Sequence, residues 1–144
     1  MSTKPPPPLD KRLGYLLKHA QLRFFELGAV ALAPLGITGR EAAVLRAIDA
    51  GRPVSQGEIA RAMNVDRTTM VALIDDLQVK GLVRRRQDPD DRRKNVVELT
   101  DDGRGTVRQA AKAIERAELD FLGPLTAAEA AQFKTTLRAL LKDG

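Results

Sequence analysis

The side chains able to do chemistry are unevenly spread. Residues 84–94 hold six bases (Arg84, Arg85, Arg86, Arg92, Arg93, Lys94) and three acids (Asp88, Asp90, Asp91). Six minus three gives +3 there, of the +5 carried by all 144 residues. Guanidinium groups at that density suit phosphate oxygens and the negative potential of a narrow minor groove. The acids, placed beside the arginines, are expected to orient guanidinium groups through bidentate pairs. A second, smaller set is Tyr15, His19 and Arg23, which share one face of a helix. A hydroxyl, an imidazole and a cation there could hold an organic anion. Equally, the two rings could pack in a seam between helices while Arg23 stays in water.

Other chemistries are excluded. The chain has no Cys, so it has no disulfide, thiolate zinc site, cysteine nucleophile or thiol switch. The single His19 cannot build a multi-histidine metal site and is the one imidazole for acid–base work. Asp75 and Asp76 cannot face one substrate, because adjacent helix residues diverge by about 100°. A calcium loop over the Asp cluster fails, since Arg92 falls on a ligand position and no glycine supplies the turn. No catalytic residue, metal ligand or cofactor is expected, and there is no glycine loop to cradle a phosphate. No apolar run reaches the roughly 18 residues of a membrane span, and no apolar signal core is visible. The expected location is the cytoplasm, away from any membrane.

The elements that must carry these groups follow from period and punctuation. Met1–Leu9, with Pro5 to Pro8 consecutive, reads as an extended, poorly ordered arm. A helix is expected over about 10–33, with Leu13, Leu16, Leu17, Ala20, Phe24, Leu27 and Val30 near a 3.6-residue repeat. Phe25 and Leu32 widen its apolar face, and Pro34 and Gly36 end it. Thr38 with Glu41, Ser55 with Glu58, and Thr126 with Glu129 each have the spacing of a capping box. They predict helices at about 39–50, 56–63 and 127–142. Asp66 caps another over about 67–80, ended by Gly81. The period then changes: 82–86 and 95–99 read as a β-hairpin with a charged tip. Thr100 caps a helix over about 101–122, which Gly123-Pro124 breaks.

Gln56 to Leu77 fits a helix-turn-helix. Two short helices crossing steeply need a small residue at the fifth position, and Ala60 is there. The ninth must tolerate a left-handed backbone, and Asn64 does so next best to glycine. Ile59, Met63, Val65, Met70 and Leu73 fill the apolar positions. In the second helix Met70, Leu73, Ile74 and Leu77 point inward. Arg67, Thr68, Val71, Ala72 and Asp75 lie opposite, and small and hydrogen-bonding residues at the N-terminal end let a helix sink into a major groove. Arg67 suits a guanine edge, Thr68 a base edge or phosphate, and Val71 and Ala72 thymine methyls. Thr69, at the edge of this face, can reach a phosphate. Arg92, Arg93 and Lys94 at the hairpin tip suit the backbone or minor groove.

At this point the chain resembles the MarR family of bacterial winged-helix transcription regulators. The resemblance is carried by Ser55-Gln56-Gly57-Glu58-Ile59-Ala60, Asp66-Arg67-Thr68-Thr69-Met70, Val79-Lys80-Gly81-Leu82-Val83-Arg84-Arg85, Asp88-Pro89-Asp90-Asp91-Arg92-Arg93 and Val97-Glu98-Leu99-Thr100-Asp101-Asp102-Gly103. It spans about residues 10–142 as one domain, mainly α with a small β-hairpin. It implies a homodimer in which 10–36 and 101–142 supply the dimerisation helices and 38–100 forms a winged helix-turn-helix lobe. It implies that the two lobes read half-sites of a pseudo-palindromic operator in double-stranded DNA, with Arg93 in the minor groove and Asp66 paired to it. Where the family has an Asp-Arg pair late in the recognition helix, this chain has Asp75-Asp76. Arg84 or Arg86 is then the candidate to replace the lost bridge. The resemblance further implies a repressor relieved by a small phenolic or carboxylic ligand in a cleft between dimer helices and lobe, where Tyr15, His19 and Arg23 are the candidates. The absent cysteines exclude the family's thiol-oxidation switch. The alternative is an architectural nucleic-acid-binding protein with the same basic patch and no operator.

Overall fold

The computed structural model of the chain describes residues 9–142. The proline-rich arm expected over residues 1–9 lies outside these, apart from Leu9, which opens a short 3-10 turn. The helices are α1 (Leu13–Leu32), α2 (Gly39–Ile48), α3 (Gln56–Met63), α4 (Arg67–Val79), α5 (Asp101–Leu122) and α6 (Ala127–Leu141). The strands are β1 (Val54–Ser55), β2 (Val83–Gln87) and β3 (Asn95–Leu99). The boundaries of α2 to α6 fall within about two residues of those expected, while α1, expected from about residue 10, starts at Leu13 after the 3-10 turn Leu9–Lys11.

The chain divides into two compact units. One is Gly28–Ile114; the other, among the described residues, is 9–27 with 115–142. In Gly28–Ile114 the side chains of Leu45, Ile59, Met70, Ile74, Leu77, Val83 and Val97 are almost wholly buried in a single core. Each such side chain contributes about 1.5–3 kcal/mol by leaving water. The expected hairpin forms, with Arg84 opposite Glu98 and Arg85 opposite Val97. It is extended to three antiparallel strands, in the order β1-β3-β2, because Val54 and Ser55 pair with Val97 and Val96. A two-residue strand is too short to show a period in sequence.

The capping boxes at Thr38 and Thr126 form in full, each hydroxyl accepting the third amide and each Glu reaching back. The expected box at Ser55 forms by half. Ser55 Oγ accepts the Glu58 amide at 3.1 Å, but the Glu58 carboxylate turns to Arg52 at 2.9 Å. That guanidinium holds the Glu58 carboxyl below the usual carboxylate range. Gly81, at φ +75°, ends α4, with the Leu82 amide donating back to the Leu77 carbonyl at 3.0 Å. A left-handed backbone there favours glycine, which has no Cβ to crowd the carbonyl.

The other unit packs Phe24 of α1 edge-on against Phe121 of α5, ring centroids 5.6 Å apart, and buries Ala117 of α5. Much of its apolar surface is left open. Leu13, Leu16, Leu17, Phe25, Leu119, Phe133, Leu140 and Leu141 are exposed, and α6 has no buried residue.

Candidate nucleic-acid interface

The turn between α3 and α4 takes the geometry the spacing requires. Asn64 sits at φ 53°, ψ 47°, and the Val65 amide donates to the Ala60 carbonyl at 3.0 Å. Ala60 is buried where the helices meet. Asp66 then starts α4 by accepting the Thr69 amide at 2.6 Å. That backbone hydrogen bond holds the Asp66 carboxyl below its usual range. Met70, Ile74 and Leu77 are buried and Leu73 half-buried, so Arg67, Thr68, Val71 and Ala72 form an exposed face with Thr69 half-buried at its edge. The sequence-derived contact residues on α4 are thus brought to one surface.

The wing tip is folded by its acids. Asp88 Oδ1 accepts the Asp90 amide at 2.9 Å, and Asp91 Oδ1 accepts the Arg93 amide at 3.1 Å. The expected pairs between these acids and the wing arginines are not formed. A backbone amide two residues away costs little chain entropy to reach, whereas an ion pair between exposed side chains is worth little. Nor does Asp66 pair with Arg93, since its carboxylate is spent on capping α4. Arg92, Arg93 and Lys94 are exposed, and no ion pair holds them among the described residues.

The strand arginines divide by face, as the period of two requires. Arg84 and Arg86 both pair with Glu98, at 2.6 and 2.7 Å. These two guanidinium groups, Arg84 foremost, hold the Glu98 carboxyl below the usual carboxylate range. Arg85 turns the other way and bonds Asp75 at 2.7 Å. The bridge expected from Arg84 or Arg86 is therefore made by Arg85, because those two residues face away from α4. Sequence reading missed Glu98 and the acceptors of Arg85; the alternation along 84–86 was the signal that could have separated the three arginines. It also missed Lys80, which holds the buried Glu41.

The second candidate set keeps its helical spacing. Tyr15 and His19 stack with centroids 4.0 Å apart and planes inclined by 31°. Tyr15 is half-buried, while His19 and Arg23 are exposed. Among the described residues no group of three or more His, Asp or Glu side chains is placed to hold a metal ion. No single helix among them is long and apolar enough to cross a membrane.

A helix-turn-helix followed by a basic β-wing defines a winged-helix DNA-binding lobe. Comparisons with known proteins sharpen the class. A model of the MarR family matches residues 35–94. The chain is 32% identical to a putative transcriptional regulatory protein for the hcr operon of Thauera aromatica, over 90% of this chain and 76% of that protein. It is 34% identical to the solved transcriptional repressor CouR bound to a 23-mer DNA duplex, with a TM-score of 0.85 over 99% of this chain and 100% of that one. It is 26% identical to Bordetella bronchiseptica BpsR, whose DNA binding is regulated by 6-hydroxynicotinic acid, with a TM-score of 0.83 over 97% of this chain and all of that one. The chain belongs to the MarR family of DNA-binding transcriptional regulators.

Proposed function

We propose that the protein is a dimeric, sequence-specific repressor in the cytoplasm, released from its operator by a small aromatic or carboxylic ligand. The observation that carries the DNA reading is that Gly28–Ile114 presents two probes together. One is the exposed α4 face with Arg67, Thr68, Thr69, Val71 and Ala72; the other is the wing tip with Arg92, Arg93 and Lys94 free of ion pairs. The first is sized for a major groove and the second for the adjacent backbone or minor groove. Residues 38–100 are the reading lobe of this proposal.

Dimerisation through 10–36 and 101–142 is supported by the apolar surface left open on α1, α5 and α6. Exposed apolar side chains in such number on one unit of a small chain favour an interface. The effector site rests on Tyr15, His19 and Arg23 and on the aromatic acid that regulates BpsR. No catalytic role is assigned to any residue.

Selection of bound duplexes from random DNA tests the reading. A shared pseudo-palindrome should emerge, with half-site centres about one helical turn apart. Competition by random duplex as strong as by the selected site would instead favour the architectural reading. Release from the selected site by an aromatic carboxylate, lost in Arg23→Ala, tests the effector; a panel without effect would remove it.

A further inference from the structure

We infer that Arg85 is a positioning residue for DNA reading: it locks the wing to the recognition helix so that the two meet the duplex as one rigid element. The inference rests on the DNA-reading role proposed above for α4 and the wing tip.

A guanidinium has five N–H donors in a fixed planar fork. Arg85 distributes them over two helices from a base on β2. Its Nε donates to Gln56 Oε1 of α3 at 2.5 Å and its Nη1 to Gln78 Oε1 of α4 at 2.8 Å. Its Nη2 meets Asp75 Oδ1 at 2.7 Å and the Val71 carbonyl at 3.4 Å. The side chain is 24% exposed, so these bonds are partly shielded from water.

Position along the strand gives this set its leverage. The foot of the wing is tied where the Thr100 amide and hydroxyl donate to the carbonyls of Leu82 and Gly81. Arg85 is the outermost side chain of β2 bonded to the helices, at the level where β1 pairs with Val97 and Val96 of β3. Beyond it, from Arg86 to Lys94, no side chain bonds to α3 or α4 among the described residues. The strand runs two residues further and Asp88 pairs with Lys94 at the third, so Arg93 lies at least roughly 10 Å out at strand rise, and a swing of about 10° displaces it by about 2 Å. That is enough to abolish a directed hydrogen bond. Arg85 also neutralises Asp75, whose carboxylate is 57% exposed beside the DNA-facing residues and would otherwise repel phosphate.

Lysine keeps the charge but has no fork, so Arg85→Lys separates geometry from electrostatics. The chain has no Cys, and spin labels can therefore be placed cleanly at Asp90→Cys on the tip and Val79→Cys on α4. The expected result is a broadened distance distribution in Arg85→Lys, with affinity for the selected duplex falling on the order of ten-fold. In Arg85→Gln the slope of log K against log salt should stay close to that of the unaltered chain, because no phosphate contact is removed. The paired variant Gln56→Ala, Gln78→Ala leaves Arg85 in place and should broaden the distances in the same direction, which keeps the test open if Arg85 variants fold poorly. An unchanged distance distribution in every variant overturns the tether. A salt slope lower by about one in Arg85→Gln overturns it differently, making Arg85 a phosphate contact. If the unaltered chain selects no duplex, the DNA reading fails while the distances still test the tether.

Discussion

Lys80 sets its ammonium 2.9 Å from both carboxylate oxygens of Glu41 and 2.9 Å from the Gly36 carbonyl. Glu41 is 3% exposed, and the same carboxylate accepts the Thr38 amide in the capping box of α2. One acid thus joins the start of α2 to the end of α4, 39 residues later in sequence. Lys80→Ala leaves that carboxylate buried with one amide for a partner. A loss of about 1–3 kcal/mol is expected, toward the low end because Lys80 itself is partly exposed. Glu41→Gln keeps an acceptor for the Thr38 amide and buries no charge, so it should cost less. Urea midpoints measure both. Lys80→Ala indistinguishable from Lys142→Ala would show that the pair contributes nothing.

Gly103 is a packing requirement. Its amide donates to Thr100 Oγ1 at 3.0 Å, and a Cβ added to it would be driven into the Leu82 carbonyl oxygen. Backbone cannot yield there without moving the foot of the wing. Gly103→Ala is expected to cost about 1–3 kcal/mol, despite the better helix propensity of Ala. Gly105→Ala, which meets only the end of the Arg108 side chain, is the control and should be neutral or mildly stabilising. Equal melting temperatures for the two variants would refute the close approach.

Glu98 makes the wing foot acid-sensitive. Arg84 and Arg86 depress its carboxyl from the ordinary value of 4.5. A depressed carboxyl favours the native state fully above the unfolded value and loses that contribution as pH falls through the folded one. Glu98→Gln should therefore be less stable than the parent chain at neutral pH, and the difference should begin to shrink as pH falls to about 4.5 and vanish only once pH has passed below the depressed folded value. Denaturation series at several pH values read this directly; a gap that persists at low pH would assign it to packing.

Arg93 and Arg67 should fail in different ways. Arg93→Ala is expected to lose most specific affinity and to reduce the salt slope by about one, because an exposed groove cation is gone. Arg67→Ala is expected to relax preference at one base pair per half-site, at about 1–3 kcal/mol. Binding of Arg67→Ala weakened equally on all duplexes would make Arg67 a phosphate contact. Unchanged affinity and slope in Arg93→Ala would remove the wing from the interface.

The helices, the α3–α4 turn and the exposed α4 face were legible because they rest on signals a few residues long. Thr38, Asp66, Asn64 and Gly81 act on backbone groups within about one helical turn, and the buried residues of α4 recur at helical period. β1 was not legible, since Val54-Ser55 becomes a strand by pairing with Val97 and Val96. Asp88 and Asp91 were misread because each had two possible partners and the nearer backbone amide won.

Local chemistry thus settled which segments are helical, where each one starts and stops, and which side of α4 stays in water. It also placed the surplus of positive charge in the hairpin. The partners of that charge came from folding. Arg84, Arg85 and Arg86 are alike in composition, yet strand alternation sends the first and last to Glu98 and the middle one to Asp75, Gln56 and Gln78. Those acceptors are brought near by the packing of α3 and α4 against the sheet, a distance no local pattern encodes. With these pairs made, the cations left without an ion pair in the hairpin are Arg92, Arg93 and Lys94.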